Sequence, residues 1–400
     1  MRVYTPRTAY RRDLKREIRS QDYFLLAVLL AIFAFSVLSL ANCTADAAPQ
    51  DATLRQKIAL IWASRYVRLQ VIWFLTGGVL LLLATFLVDY EFYGRIYLLI
   101  FAMNVLVLAV LWIVGESTRG AVSWFTIGRR GLQPSEFCKL ALIICLAWSM
   151  SDTNGRITQF RQLIRPMLIF LIPFALILLQ PDLGTALVYV AILVGMLFIA
   201  GVNWKIMLTG IAAAALALPL AVKYILNDTQ RARLEGFFGT GTDAANTTYQ
   251  LRNSQMAIGS GGLSGRGLLA EGTVSQLDYV PDQHTDFIFS TAAEAFGFIG
   301  AVIILVLYLL LLLRLLYMAY RTPDRFGKLL ITGVASMFFF HIFENIGMTI
   351  GLMPITGIPL PFMSYGGSNM WTNMIAVGLA QNAYCRRNRV RYDNKGIIRF

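Results

Sequence analysis

The stretch "FIFSTAAEAFGFIGAVIILVLYLLLLL", residues 287–313, decides the fold class. It carries a single charged residue, Glu294, in a run long enough to cross a membrane. A helix rising 1.5 Å per residue needs about 20 apolar residues to span a hydrocarbon core about 30 Å thick. There is no period-two alternation of the kind a barrel strand shows, and an open strand leaves its backbone unsatisfied in lipid. The run is therefore read as a spanning helix. Nine more blocks of this kind are predicted: Tyr23–Ala41, Leu69–Val88, Tyr97–Val114, Phe137–Met150, Pro166–Leu179, Leu183–Ala200, Ile206–Ile225, Leu329–Ile350 and Tyr365–Tyr384, with Phe287–Leu313 eighth in order. The expected fold is all-α, a polytopic membrane protein with ten transmembrane helices. Pro173 is expected to bend the fifth.

Composition supports this reading. The 400 residues are 57% hydrophobic and only 14% charged, with a mean hydropathy of +0.62; soluble domains are about a quarter charged. The net charge of +13 raises nucleic-acid binding, but the basic residues are scattered between spans instead of gathered on one domain, so no nucleic-acid partner is expected. Membrane proteins acquire such charge through cytoplasmic loops. Lys and Arg are denser on the side that holds both ends of the chain, which predicts cytoplasmic termini: a basic segment 1–21 and a basic tail 385–400. The first span is too long for a signal-peptide core and no clean cleavage site follows it, so it is expected to be retained. Four cysteines without a CxxC pair imply no disulfide framework. Two histidines, His284 and His341, exclude a multi-histidine metal site.

Three segments outside the spans stand out. Residues 226–286 form a long, glycine-rich extracytoplasmic loop between helices 7 and 8, and a loop of that length is usually functional. Gly115–Glu136 mixes basic and acidic residues with Trp124. Ala48–Arg68 reads as an amphipathic helix on the outer face, with Ile58, Leu60, Ile61 and Trp62 toward lipid.

Several polar residues sit at or inside apolar runs. Asp286 opens the eighth span, where it or Thr285 is a candidate N-cap. A partly desolvated carboxylate there is equally suited to general-base work. Asp182, after Pro181, either caps the sixth span or lines an outward-facing cavity. Glu136 and Lys139 are three apart and can pair on one helix face; alternatively Lys139 joins Arg119, Arg129 and Arg130 against an anionic group such as a pyrophosphate. His341, Glu344 and Asn345 lie inside the ninth span, as functional groups or as hydrogen-bonding glue between helices. Glu294, at i+8 from Asp286, suggests a polar interior path. The glycine run 259–267 has neither nucleotide-binding spacing nor a strand–helix setting, and reads as a tight surface turn. Pro354–Gly367 is a non-helical hairpin that must be buried in protein or line a cavity.

Five ordered motifs then carry a resemblance: "RGAVSWFTIGRRGLQPSEFCKL" (119–140), "QPDLGTA" (180–186), "AIGSGGLSGRGLL" (257–269), "GTVSQLDYVPDQHTDFIF" (272–289) and "NIGMTIGLMPITGIPLPFMSYGGS" (345–368). With them the chain resembles the SEDS family of shape, elongation, division and sporulation proteins. The "GTVSQL" stretch is more similar to the elongation branch, RodA, than to the division branch, FtsW. The resemblance implies one ten-span domain over residues 1–400 in a bacterial cytoplasmic membrane. It implies an inverting peptidoglycan glycosyltransferase that polymerises lipid II, a disaccharide-pentapeptide on undecaprenyl pyrophosphate. By motif, Asp286 is the implied catalytic base. Arg119, Glu136, Lys139 and Asp182 are implied for substrate binding, and His284, Thr285, Ser364 and Tyr365 complete that set. A divalent cation (Mg or Mn), a class B penicillin-binding transpeptidase and elongation-complex membrane proteins are the implied cofactor and partners. The rival expectations are a flippase for the same lipid, and a scaffold that only binds a transpeptidase.

Overall fold

The computed structural model describes residues 15–387, apart from 16, 50, 119–120, 128–129, 152–156, 158–159 and most of 211–243, together with two short tail strands, Arg391–Asp393 and Gly396–Ile398. The bundle helices in chain order are α1 (Tyr23–Thr44), α2 (Leu54–Ala63), α3 (Arg65–Phe86), α4 (Tyr90–Arg95), α5 (Tyr97–Val114), α6 (Pro134–Ser151), α7 (Ile164–Leu179), α8 (Leu183–Ile199), α9 (Ala244–Ser260), α10 (Ile288–Arg321), α11 (Arg325–Ile350) and α12 (Gly367–Cys385). Three antiparallel strands, β1 (Glu116–Thr118), β2 (Ala121–Ile127) and β3 (Arg130–Leu132), join α5 to α6.

Nine of these helices follow predicted spans; a helical stretch from residue 204 opens the seventh, whose remainder lies outside the described residues. Five of the described helices are long and apolar enough to cross a membrane by themselves. The other four run 17–19 residues and sit among the longer ones. Helices α6, α11 and α12 form the centre: nearly every residue of α6 and α12 is buried. Around them, α3, α5, α7 and α10 present Leu, Ile, Phe and Val outward. A helix apolar on all sides is what a lipid-facing span requires.

One cluster of charge ties the helix ends together. At the terminal end of the bundle, Arg386 is buried and bonds Glu17 at 3.1 Å and the Thr85 carbonyl at 2.9 Å. Asp22 caps α1 through the Leu25 N–H and pairs with Arg314 at 2.5 Å. These bonds fasten the starts and ends of α1, α3, α10 and α12 together.

Several boundaries differ from expectation. The second span begins at Arg65 instead of Leu69, and the eighth runs on to Arg321. The predicted surface helix Ala48–Arg68 breaks at Ser64, which leaves the ten-residue α2. Ile58 and Trp62 of α2 are exposed, whereas Leu60 and Ile61 pack against the core.

The long loop is not an open excursion. Its second half builds α9, which packs on α10 and α11, and the glycine run following α9 wedges into a kink of α10. At Gly297 (φ 66°, ψ −165°) the helical hydrogen-bond ladder is interrupted. The loop replaces it. Arg266 and Gly267 N–H groups donate to the carbonyls of Glu294 and Ala295, and those of Phe298 and Ile299 donate to Gly262 and Leu263. A Cβ at Gly261 or Gly265 would stand 2.2 Å from the carbonyl oxygens of Ala293 or Ala295. The glycines are there so that two backbones can touch, which corrects the surface-turn reading.

Candidate functional site

The hairpin between α11 and α12 is the centrepiece. Non-helical backbone inside a bundle must find partners for its carbonyls, and side chains from four helices supply them. Asn345 Nδ2 donates to Ile358 O at 2.8 Å, and Tyr308 Oη to Pro361 O at 2.8 Å. Ser36 Oγ donates to Met363 O at 2.7 Å, and Gln70 Nε2 to Ser364 O at 3.1 Å. His341 Nδ1 faces Pro359 O at 3.3 Å while its Nε2 meets Lys139 Nζ at 3.1 Å. An ammonium only donates, so Nε2 accepts and Nδ1 carries the proton toward the hairpin.

The same hairpin holds the turn that presents Asp286. Asp282 sits in the left-handed region (φ 56°), which Asp tolerates better than most residues. Its carbonyl then receives the N–H groups of Thr285, Asp286 and Phe287. Ser364 Oγ donates to Thr285 O at 2.6 Å, Tyr365 N–H to His284 O at 3.0 Å, and Asn345 Nδ2 to Asp286 O at 2.8 Å. Gln283 anchors the turn from behind, on Ser275 O and Asp278. Phe287 occupies the cap position of α10, one residue after Asp286. Asp286 is partly exposed, and its Oδ2 lies 3.4 Å from where a Cβ on Gly357 would be.

Gly357 opens onto a cleft of about 300 Å³ lined by Gln133, Glu136, Lys139, Asp182, Thr185 and the hairpin residues 356–359. Lys139 and Glu136 pair at 2.7 Å and are almost wholly buried. Lys139 is thus locked from two sides, by Glu136 and His341, and is not a free snorkelling cation. Asp182 caps α8 through Thr185 N and Oγ1 at 3.0 and 2.8 Å and also lines the cleft. Gly184, in the same motif, lets the hairpin pass: a Cβ there would meet Ile358 Cγ1 at 3.0 Å. Glu344 is buried, accepts from Thr356 Oγ1 and has its Oε2 without a partner among the described residues.

Other predicted positions fall elsewhere. Ser364 is fully buried, with its hydroxyl used on backbone at Leu360 and Thr285, so it fastens the hairpin. Thr285 Oγ1 donates to Asp282 O within the turn. His284 and Tyr365 lie together with their rings 5.8 Å apart. Arg119 and Arg129 lie outside the described residues. Glu294 corrects the polar-path expectation. It is buried and accepts from Val274 N, Ser275 N, Ser275 Oγ and Ser260 Oγ at 2.5–3.2 Å, so it fastens the loop to α10. The residues sequence reasoning missed, Thr356 and Gly357 at the cleft and Gln70, Ser36 and Tyr308 behind it, gave no signal beyond being polar or small in an apolar setting.

Among the described residues no three His, Cys, Asp or Glu side chains form a group able to hold a metal ion. The implied divalent cation therefore finds no cage of three such side chains among them.

Comparison with known proteins places this geometry. The FtsW/RodA/SpoVE family, described as "Cell cycle protein", matches residues 21–389. The peptidoglycan glycosyltransferase RodA of Treponema pallidum (strain Nichols) is 32% identical, over 93% of this chain and 99% of its own length. A chain from a structure described as "Structural coordination of polymerization and crosslinking by a peptidoglycan synthase complex" superposes with TM-score 0.75 at 30% identity, covering 92% of this chain and 98% of that one. The rod shape determining protein RodA of Thermus thermophilus superposes with TM-score 0.65 at 28% identity, covering 92% and 98%. A family model matching residues 21–389, and a relative 32% identical over nearly its whole length, show that the chain belongs to the FtsW/RodA/SpoVE family.

Proposed function

We infer that the chain is a peptidoglycan glycosyltransferase that polymerises lipid II at the outer face of the cytoplasmic membrane, with Asp286 as the general base. One observation carries this reading. Asp286 is held by its backbone from the Asp282 carbonyl and from Asn345, while its partly exposed carboxylate stands beside the cleft. A carboxylate placed beside the cleft by a turn fixed through its backbone is positioned for proton transfer.

The carboxylate takes the proton of the sugar 4-hydroxyl of one lipid-linked disaccharide. That oxygen attacks the anomeric carbon of a second, the bond from that carbon to the pyrophosphate oxygen breaks with inversion, and undecaprenyl pyrophosphate leaves with the electron pair. General-base assistance is worth about 10² to 10⁴ in rate. A pyrophosphate leaves without strong protonation, so one carboxylate suffices where glycoside hydrolysis needs two. Lys139, at the wall of the cleft, supplies positive charge toward the leaving group. Mg²⁺ or Mn²⁺ bound with the substrate's phosphates would offset the charge that develops on the leaving pyrophosphate.

Both termini face the cytoplasm in this reading, with the Arg386–Glu17 pair at that end of the bundle and the cleft on the wall side. The proposed role is in cell elongation, in keeping with the rod shape determining protein among the structural relatives. A class B penicillin-binding transpeptidase is the proposed partner, in keeping with a structural relative that belongs to a complex coupling polymerization to crosslinking.

The test is purified protein in detergent given lipid II, with and without a chelator. Glycan polymer is expected. A protein that only moves lipid between leaflets makes none, because detergent has no second leaflet.

A further inference from the structure

On the side of the PDQHTD turn that carries His284 lies a cluster the reaction has not yet used. Tyr66 at the start of α3 packs on His284 at 5.0 Å and on Tyr365 at 4.9 Å, and Trp73 packs on Tyr365 at 4.7 Å, all tilted or edge-on. All four side chains are partly or largely exposed; Tyr66 is 38% exposed. The hydroxyls of Tyr66 and Tyr365 and the indole N–H of Trp73 make no hydrogen bond to described residues. Arg65 adds a cation close to Tyr365. The cluster is fixed to the catalytic turn: Tyr365 N–H bonds His284 O, and the adjacent Ser364 hydroxyl bonds Thr285 O. His284 and Asp286 are two residues apart, so their Cα atoms lie within roughly 7 Å.

We propose that Tyr66, Trp73, His284 and Tyr365 form a saccharide-binding ledge that seats the sugar whose hydroxyl Asp286 deprotonates. The proposal rests on the glycosyltransferase reading and adds a second subsite to it. A polymerase must hold two sugars at once. The cleft at Gly357, lined by Lys139 and Asp182, takes the one that loses its pyrophosphate. The ledge offers the chemistry an amino-sugar ring needs: aromatic faces, whose negative potential receives the weakly positive C–H hydrogens of a pyranose, and polar tips for its hydroxyl and acetamido groups. Membrane-interface aromatics also keep one end apolar and one end wet. Plain anchoring, however, would not require three rings and an imidazole from three separate segments to converge on the residue pair that positions Asp286.

The experiment uses the full chain in detergent, with N,N′-diacetylchitobiose as probe in saturation-transfer NMR and lipid II in the polymerisation assay. Wild type and Asp286→Asn are expected to transfer saturation to the probe. Trp73→Ala and Tyr66→Ala are expected to lose most of it and to raise KM about tenfold with kcat little changed, as loss of a binding contact does. Trp73→Phe, which keeps a ring face, should recover part of the binding. Trp112→Ala, which removes another exposed indole, on α5, should behave as wild type in both readouts. Unfolding midpoints of all variants show that each is folded. The proposal is overturned if wild type transfers nothing, if Trp73→Ala and Tyr66→Ala bind and polymerise as wild type, or if Trp112→Ala loses as much as they do. Failure of wild type to make any polymer would instead overturn the glycosyltransferase reading.

Discussion

Lys139→Met strands a buried charge, and its cost follows from the geometry. The Glu136 and Lys139 side chains are 4% and 2% exposed and meet at 2.7 Å. With the ammonium gone, Glu136 is left in the bundle with neither of its oxygens paired, since its Oε2 already has no partner among the described residues. Breaking a buried pair from one side costs about 3–5 kcal/mol, and His341 Nε2 loses its donor as well, for about 1 kcal/mol more. That is a large share of the 5–15 kcal/mol that typically holds a domain together. Because His341 also touches Pro359, the hairpin loosens with it. The double variant Glu136→Gln, Lys139→Met removes both charges and should regain most of the loss, as replacement of buried pairs by neutral side chains often does. Unfolding in detergent followed by tryptophan fluorescence measures both. The expected order is wild type, then double variant close behind, then Lys139→Met far below. If Lys139→Met unfolds with wild type, or the double variant is no better than the single, the locked-pair account is wrong. Polymerisation by the stable double variant should still be slow, since the cleft has lost its cation.

Three other outcomes follow from backbone geometry. Gly357→Val places branched carbon within about 3.4 Å of Asp286 Oδ2 and should cut polymerisation at least about tenfold, with a stability loss of about 1–2 kcal/mol for the left-handed backbone; Gly357→Ala should fall between. Gly297→Ala sets a Cβ 2.3 Å from Gly265 N and should cost about 3–5 kcal/mol as the loop–kink bonds open, seen as faster proteolysis in residues 262–275. Asp182→Ala removes a cap and should cost about 1 kcal/mol in unfolding.

What the sequence disclosed depended on how local each cause was. The spans were readable because lipid demands contiguous apolar residues, and the hairpin because its prolines forbid helix. Asp286 was readable as a polar residue at the mouth of an apolar run. Glu294 was misjudged because helical phase was carried back through Asp286, whereas α10 is capped at Phe287 and the preceding residues form a turn about Asp282. The role of the glycine run was hidden because its partner, the carbonyls around Gly297, lies some thirty residues away. Ser36, Gln70 and Tyr308 read as stray polar atoms in spans until the hairpin they serve is in place. Strands β1 and β3, three residues each, are too short to give a periodic signal, and the seven residues of β2 do not alternate apolar with polar.

The central claim is that the Asp286 carboxylate, and not its backbone, does the chemistry. Purified Asp286→Asn, given lipid II beside wild type at matched unfolding midpoint, measures this directly. The turn is held through the Asp286 N–H and carbonyl, so the variant should stay folded. It should polymerise about 10² to 10⁴ times more slowly. Glycan strands made at the wild-type rate would contradict the account.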